Sequence, residues 1–177
     1  MASACRAAAL GFAPVADLAI RSELMDAFNH AREAYGQIVA AEAWQTHRSW
    51  ANRYRDRYDP AVWRRLQVGA TQSTADLDRA RAAATAVRMS WARYFLEFDF
   101  LIMPATPFGA LRKADCTLIN RNRLLDLTAP ASLGGLPVLT LPIPLPSGLT
   151  TGLQIIAAHA SSRVFPWVLS RAHDQTI

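Results

Sequence analysis

Residues 98–107 read FDFLIMPATP, and this stretch decides the fold class of the 177-residue chain. Its centre, Phe100 to Met103, is apolar at four consecutive positions and is stopped by Pro104. A run without polar alternation is typical of a strand that is covered on both faces. Such a strand needs a layer of structure above it and another below it, so the stretch predicts an α/β sandwich.

The part of the chain before this strand is predicted to be mostly helical. Ser73 and Asp76 have the spacing of a capping box at the start of a long helix. Ser22 is the predicted N-cap of an earlier helix, and residues 61–66 are predicted to form a short helical segment. Residues 13–20 are predicted to be a short edge strand. The long helix has an apolar stripe with steps of three and four: Leu77, Ala80, Ala84, Val87, Trp91, Phe95 and Phe98.

The part after this strand is predicted to contain a β-hairpin. Residues 104–122 have the composition of a loop. Residues 131–137 are rich in glycine and other small residues, where two backbone segments can approach closely. Residues 138–141 and 149–158 are predicted strands, joined by a turn at 142–148. The sequence shows no internal repeat or long linker, so we expect the whole chain to form one domain.

The net charge of +5 raises the question of nucleic-acid binding. Lys113 is the only lysine, and the other 18 basic residues are arginines, a bias that a GC-rich coding sequence produces whatever the function. Residues 52–59 interleave arginines with tyrosines, as single-strand binders do, but they also contain two aspartates. Two interpretations stay open for this stretch, a solvated connection between helices and a phosphate-binding patch. We expect no nucleic-acid partner.

The residue composition also bears on location and on metal sites. No run of about 20 apolar residues occurs, so we expect no membrane span. Cys5 and Cys116 are too few for a disulfide framework or a zinc site, which favours a reducing, cytoplasmic setting. The four histidines show no metal-ligand spacing, and we predict neither a metal nor a cofactor.

Motifs that carry chemistry are scarce. Ser132 and Ser147 lack the Gly-x-Ser-x-Gly elbow that exposes a nucleophile. Lys113 lies in a polar stretch without neighbours that would desolvate its amine, so we interpret it as a surface lysine. No glycine-rich turn precedes a Lys-Ser or Lys-Thr pair. Composition and spacing alone therefore lead only to a soluble α/β domain.

An ordered series of segments leads further. The segments are EAWQTH at 42–47, YDP at 58–60, RRL at 64–66, FDFLIMPATP at 98–107, PASLGGLPV at 130–138 and GLQII at 152–156. In order and spacing, the series resembles the C-terminal part of the amidase signature family, over about residues 10 to 173. Within this family, the series resembles most the A subunits of glutamyl-tRNA amidotransferases and related small-amide hydrolases. It implies an α/β/α sandwich around a mixed sheet.

The resemblance also implies what these residues lack. Family members are much longer and hydrolyse amides with a nucleophilic serine, a bridging serine and a lysine, which precede the part matched here. The sequence has no Gly-Gly-Ser-Ser-Gly-type stretch, and Lys113 is not in the family's lysine context. Without a nucleophile, acyl transfer has no starting point. We therefore expect no catalytic residue in this chain and no activity from the chain alone.

By the same resemblance, the chain supplies the far wall of a substrate cleft. The expected substrate-binding residues are Arg88, Asp126, Thr128 and Ser132. Arg88 and Asp126 match the positions that hold a substrate's charged end, although Asp126 is one residue out of register. For Arg88 an exposed helix face is the alternative, and for Asp126 a local turn or cap. The best matches to the family have expected structural roles: Gly135, Pro137, Gly152 and Gln154.

Two functional hypotheses follow. The first is the C-terminal portion of an amide hydrolase, which would accept a small amide only when an N-terminal amidase half completes it. The second is a non-catalytic truncated product or interaction module. A fragment of a sandwich leaves apolar surface exposed to water. Burying that surface against a partner would gain about 25 cal/mol per Å². In both cases we expect association with itself or with a complementary chain.

Overall fold

The computed structural model describes residues 2–174, which form helices around one small sheet. The helices are α1 (Ala2–Leu10), α2 (Leu18–Phe28), α3 (Ala31–His47), α4 (Pro60–Thr71), α5 (Thr74–Glu97), α6 (Leu118–Gly134) and α7 (Val164–Asp174). The strands are β1 (Phe100–Pro104), β2 (Val138–Pro144) and β3 (Thr150–Ala157). The α/β class and the helix-rich first half are confirmed.

The three strands form a sheet in the order β1-β3-β2. The predicted hairpin is confirmed as the β2–β3 pair, in which Leu141 lies opposite Leu153. β1 pairs with the other side of β3, with Ile102 opposite Ile155. Both pairings are antiparallel, so these three strands do not show the mixed character expected of the sheet.

The sheet has an apolar layer on each face, as the sandwich prediction requires. Ile156 of β3 packs into a core with α3, α5 and α6, where Trp91 is almost fully buried. Its neighbour Ile155 points to the opposite face, into a core with Cys5 of α1 and Val168 of α7. This alternation follows from the two-residue period of a strand. Neighbouring residues of β3 therefore contribute to the two separate cores.

The prediction of an edge strand at residues 13–20 is wrong. The side chain of Asp17 accepts a hydrogen bond of 2.9 Å from the backbone N–H of Ile20, and α2 begins at the next residue, Leu18. Ser22, the predicted N-cap, therefore lies inside this helix. An aspartate at an N-cap outweighs weak strand propensity because it satisfies a free helix donor.

The capping box of the long helix is confirmed. Ser73 accepts from the backbone N–H of Asp76 at 3.1 Å, and the Asp76 carboxylate accepts from the backbone N–H of Ser73. The short helix predicted at 61–66 spans Pro60–Thr71 in the structure; Asp59 caps its start and Pro60 occupies its first turn.

The loop predicted at 104–122 is wrong in its last residues, where α6 begins after Thr117 as N-cap. α6 continues through Pro130, a residue that normally interrupts a helix. Here the Pro130 carbonyl accepts a 2.9 Å hydrogen bond from the indole N–H of buried Trp91. Gly135, at a φ of 66°, then ends the helix, and Leu136 N–H closes back to a helix carbonyl as in a Schellman motif. Tertiary contacts thus overcome the local helix breaker.

We predict that Gly69→Ala destabilises the fold. α3 and α4 pack so closely that a Cβ at Gly69 would overlap the carbonyl of Ala40 and lie 2.9 Å from Trp44 Cβ. The expected loss is about 1–3 kcal/mol of unfolding free energy, measured by urea denaturation. Gly36→Ala is the matched control, because nothing lies within 4 Å of its Cβ and the variant should gain up to about 1 kcal/mol. Equal effects would contradict this close approach.

We also predict a loss of stability at high pH through Tyr94. Its hydroxyl donates a 3.0 Å hydrogen bond to the Phe100 carbonyl at the start of β1, and burial raises its pKa to about 12. Below pH 10 both states keep the proton. As the pH rises from about 10 to 12, the unfolded state ionises first and stability falls. Urea denaturation should show this slope weakened in Tyr94→Phe, and an unchanged slope in that variant would refute the assignment.

Candidate functional site

Helix α6 carries three of the four predicted site residues, and Gln154 of β3 fixes it to the sheet. The Gln154 side chain is 2% exposed, and its amide nitrogen donates to two carbonyls, those of Leu127 at 2.9 Å and Pro104 at 3.1 Å. One side chain therefore joins α6, β3 and the end of β1. The structural role expected for Gln154 is thus confirmed.

Arg88 reaches the C-terminal end of α6 from α5. Its Nε donates a 2.9 Å hydrogen bond to the carbonyl of Leu133, in the last turn of α6. A cation at this end satisfies a carbonyl that has no partner in the helix and interacts favourably with the helix dipole. The guanidinium has five N–H donors, and this hydrogen bond uses only the one on Nε. The N–H groups on Nη therefore remain able to donate hydrogen bonds to an anion.

Thr128 and Ser132 lie one turn apart on α6. The Thr128 hydroxyl donates to the Leu124 carbonyl at 3.2 Å, and the Ser132 hydroxyl donates to the Thr128 carbonyl at 3.1 Å. Ser132 is exposed next to Leu133, the residue that accepts from Arg88. The structure therefore brings Arg88 and Ser132 to the same end of α6.

Asp126 has a different environment. Its carboxylate oxygen lies 3.2 Å from Nε of Arg32 on α3, and both side chains are about half exposed, at 53% and 45%. Its ion-pair partner is thus Arg32, which sequence reasoning missed. The pair joins residues 94 positions apart, and no local pattern marks such a contact.

The side of α6 that faces α3 and α4 is basic. Burial and the nearby charge of Arg65 both lower the pKa of the Arg121 guanidinium, and Tyr35 of α3 is also close enough to influence it. Arg32, whose charge is paired with Asp126, does not add to this positive charge. A surface with this charge favours ligands that carry an anionic group.

Close backbone packing supports this region at the end of the sheet. The N–H of Ala105 donates a 2.8 Å hydrogen bond to the carbonyl of Gly152. A Cβ at Gly152 would lie 2.9 Å from Ala105 Cβ and 3.0 Å from Thr140 Cγ2, so the expected close packing at this glycine is confirmed. Beyond it, the hydroxyls of Thr106 and Thr151 are 3.2 Å apart.

Two surface cavities of about 300 Å³ each lie between α3 and α5 and beside Trp50 and Tyr58. None of the four predicted site residues lines either of them. Within residues 2–174, no group of three His, Cys, Asp or Glu side chains is arranged to hold a metal ion. None of the described helices is long and apolar enough to cross a membrane.

The sequence matches the family model Amidase over residues 12–163. The chain belongs to the amidase signature family. Among curated proteins, it is 33% identical over 105 residues to the A subunit of glutamyl-tRNA(Gln) amidotransferase from Synechococcus sp. strain JA-3-3Ab, covering 56% of this chain and 21% of the relative. The corresponding protein of Archaeoglobus fulgidus is 35% identical over 86 residues, covering 47% of this chain and 18% of the relative.

Solved structures show the same fold. One is described as an inhibitor-bound vestigial protein complex that reveals the evolutionary origins of an s-triazine catabolic enzyme. It matches with a TM-score of 0.83 and 25% identity over 99% of this chain and 39% of its own. A crystal structure of an amidase matches with a TM-score of 0.73 and 24% identity over 85% of this chain and 36% of its own. The chain thus spans about a fifth of the length of the curated relatives and under two fifths of these solved chains.

We predict that Gln154→Leu lowers the unfolding free energy by about 1–3 kcal/mol, because it removes the two hydrogen bonds that join β3 to α6 and to the end of β1. Gln154→Glu should be less stable still at neutral pH, since a carboxylate would face two carbonyl oxygens, and should recover at acid pH as it gains a proton. Thermal unfolding measures both. Thr140→Val, at an exposed position opposite Gln154, is the control with a change within about 0.5 kcal/mol. Equal losses in all three variants would contradict the role of the amide.

Proposed function

We propose that these residues form the C-terminal portion of an amidase-type hydrolase that acts on carbon–nitrogen amide bonds. In this proposal, the end of α6 and the facing part of α5 form one wall of the substrate cleft. The supporting observation is the hydrogen bond from Arg88 to Leu133, which holds a guanidinium beside the exposed Ser132 in a chain that matches the family over residues 12–163.

The proposed substrate is a small amide that carries an anionic group. Arg88 would bind that group through its Nη donors, which suit a carboxylate. Ser132 and Thr128 would line the same wall. Asp126, paired with Arg32, would contribute at the edge of the wall, where the exposed carboxylate can accept from an amine. The basic side of α6 would favour approach of the anion.

The catalytic atoms would come from a complementary segment. A serine nucleophile needs a base within hydrogen-bond reach. The Ser132 hydroxyl instead donates to a helix carbonyl, and Lys113 is exposed in a short turn. We therefore propose that the Ser-Ser-Lys core of the hydrolase lies outside these residues and that the chain alone is inactive.

The complementary segment is proposed to be another chain or another part of the same protein. One relative is named as a subunit of an amidotransferase, and one similar structure is described as a complex. We propose a cytoplasmic location, supported by Cys5 and Cys116, which are both free thiols.

A non-catalytic interaction module is the second proposal. Large apolar side chains are exposed on several elements, among them Leu96 at 84% and Ile119 at 73%. Exposed apolar surface of this kind favours association whether or not a reaction follows. Such a module would bind itself or the complementary segment and hydrolyse nothing.

The test compares the chain alone with the chain co-expressed with a complementary segment. The segment used is the part of the solved amidase that lies outside its aligned 36%. Simple aliphatic and aryl amides, with and without a carboxylate, are the substrates. We expect no hydrolysis by the chain alone and hydrolysis by the pair. Turnover by the chain alone would overturn the assignment of the catalytic core, and a stable but inactive pair would favour the interaction module.

Arg88→Ala tests the wall itself in the active pair. Loss of a charge-assisted hydrogen bond is worth about 1.5–3 kcal/mol, so KM for the carboxylate-bearing amide should rise about 10- to 100-fold. The neutral amide should change little. Arg93→Ala is the matched control, because Arg93 is exposed on the same helix. An equal KM rise for both amides would assign Arg88 a purely structural role.

A further inference from the structure

The connection between α3 and α4, residues 48–59, is held in a fixed conformation against the end of α3. The backbone N–H groups of Trp50 and Ala51 donate to the His47 carbonyl at 3.0 and 2.8 Å. Ala51 is fully buried. Nδ1 of His47 and the hydroxyl of half-buried Tyr58 share a hydrogen bond of 2.7 Å. The segment therefore has a defined shape, which a merely solvated connection between helices does not need.

A cavity of about 310 Å³ lies at the surface of this connection. The side chains that line it are those of Trp50, Tyr54, Arg57 and Tyr58, so three aromatic rings surround one cation. Small-molecule sites in proteins are lined mostly by apolar and aromatic side chains with a few polar groups, and have volumes from about 300 Å³ upward. This cavity thus has the lining and the size of a site for one small ligand.

Aromatic rings of the connection and of α4 position the guanidinium groups. Cζ of Arg57 lies 5.2 Å from the centre of the Tyr54 ring, and Cζ of Arg53 lies 5.4 Å from the same point. Cζ of Arg55 lies 5.6 Å from the centre of the Trp63 ring. A guanidinium over a ring keeps its N–H donors available for an anion. Within residues 2–174, none of these three arginines forms an ion pair with a carboxylate.

The two aspartates of this stretch do not neutralise it. The Asp59 carboxylate accepts a 2.7 Å hydrogen bond from the backbone N–H of Ala61 and caps α4. Asp56 is exposed in the short turn before it. Residues 52–59 contain three arginines and two aspartates, so the stretch carries a net positive charge. An anionic ligand is therefore favoured over a cationic one.

Trp50 is the ring of this cavity that is available to a ligand. It is 41% exposed, and its ring lies 5.5 Å from the His47 ring, between centroids. In the described part of the chain, no guanidinium lies over Trp50, whereas Tyr54 carries two. An exposed indole stacks on flat rings of any base, and a neighbouring arginine binds phosphate. The cavity therefore suits a flat ring that carries a phosphate.

We propose that this cavity, named the Trp50–Tyr58 cavity, binds a nucleoside monophosphate. The base stacks on Trp50, and the phosphate accepts hydrogen bonds from Arg57, with Arg53 adding charge beside Tyr54. A phosphate carries close to two negative charges, which suits two neighbouring guanidinium groups better than a single carboxylate does. The small volume favours one nucleotide over a strand, in agreement with the expectation of no nucleic-acid partner. The inference is independent of the proposed hydrolysis.

Calorimetric titration of the full chain with three ligands tests the two halves of the proposed ligand separately. Adenosine monophosphate (AMP) should bind at least about tenfold more tightly than adenosine or ribose phosphate, because each of these lacks one of the two contacts. Equal binding of AMP and either part, or no binding of AMP at millimolar concentration, overturns the proposal. A single-stranded oligonucleotide that binds more than about tenfold tighter than AMP would place a strand in the cavity and overturn the choice of a single nucleotide.

Variants assign the contacts within the cavity. Trp50→Ala should weaken AMP binding about 10- to 100-fold, and Trp50→Phe, which keeps a ring, should weaken it much less. Arg57→Ala should weaken AMP binding at least about tenfold and leave adenosine binding unchanged. If AMP and adenosine lose affinity equally in Arg57→Ala, its role is structural and the proposed phosphate contact is wrong.

Arg6→Ala is the matched control, because it makes the same change in net charge. Arg6 is exposed on α1, which packs on the other face of the sheet from α3. AMP binding should be unchanged in this variant, and a loss equal to that of Arg57→Ala would reduce the effect to net charge and overturn the site. Trp50 and Arg57 are exposed, so both variants should fold. If circular dichroism shows that Trp50→Ala does not, the three-ligand titration of the unmodified chain decides.

Discussion

The buried amide of Gln154 is the interaction on which the arrangement of this domain depends. A side chain in the middle of β3 donates to a carbonyl of α6 and to another at the end of β1. A buried amide left without acceptors costs about 1–3 kcal/mol, so the buried Gln154 side chain favours this position of α6 over nearby ones. From the other side, the indole of Trp91 donates to Pro130. α6 is thus fixed between the sheet and α5 by two polar contacts within apolar surroundings.

Much of the fold could be predicted because its signals are local. The capping box at Ser73 and the apolar run before Pro104 each lie within a few residues, and the structure confirms the elements they predict. The first residues of α6, 118–122, were missed because the two asparagines among them gave the composition of a loop, although the Thr117 hydroxyl caps the helix. Pro130, near the other end of α6, argues locally against a helix, and its carbonyl is bound by the indole of Trp91, 39 residues away in the sequence. The start of α2 was missed for a local reason. The stretch is only weakly apolar, and the single capping side chain of Asp17 determines that it forms a helix rather than a strand.

The candidate site shows the same division. The resemblance located Arg88, and the structure places it beside α6, but its contact is with the Leu133 carbonyl, which sequence cannot reveal. The partner of Asp126 is 94 residues away on α3, a distance at which no periodicity applies. Residue types were thus predictable from motif order, whereas their partners depend on how α3, α5 and α6 pack.

The two edges of the sheet connect these observations. A sequence is consistent when each local preference agrees with the place that the fold gives it. In this chain β2 agrees, with prolines and exposed side chains at an edge, and β3 agrees, with buried residues at the centre. β1 alone disagrees. Its apolar residues contribute to both cores, and Gln154 and Tyr94 also hold its two ends, so β1 is firmly attached to the rest of the domain. A strand attached in this way keeps its place in the sheet, and its outward Phe100 carbonyl is satisfied by the Tyr94 hydroxyl rather than by a further strand.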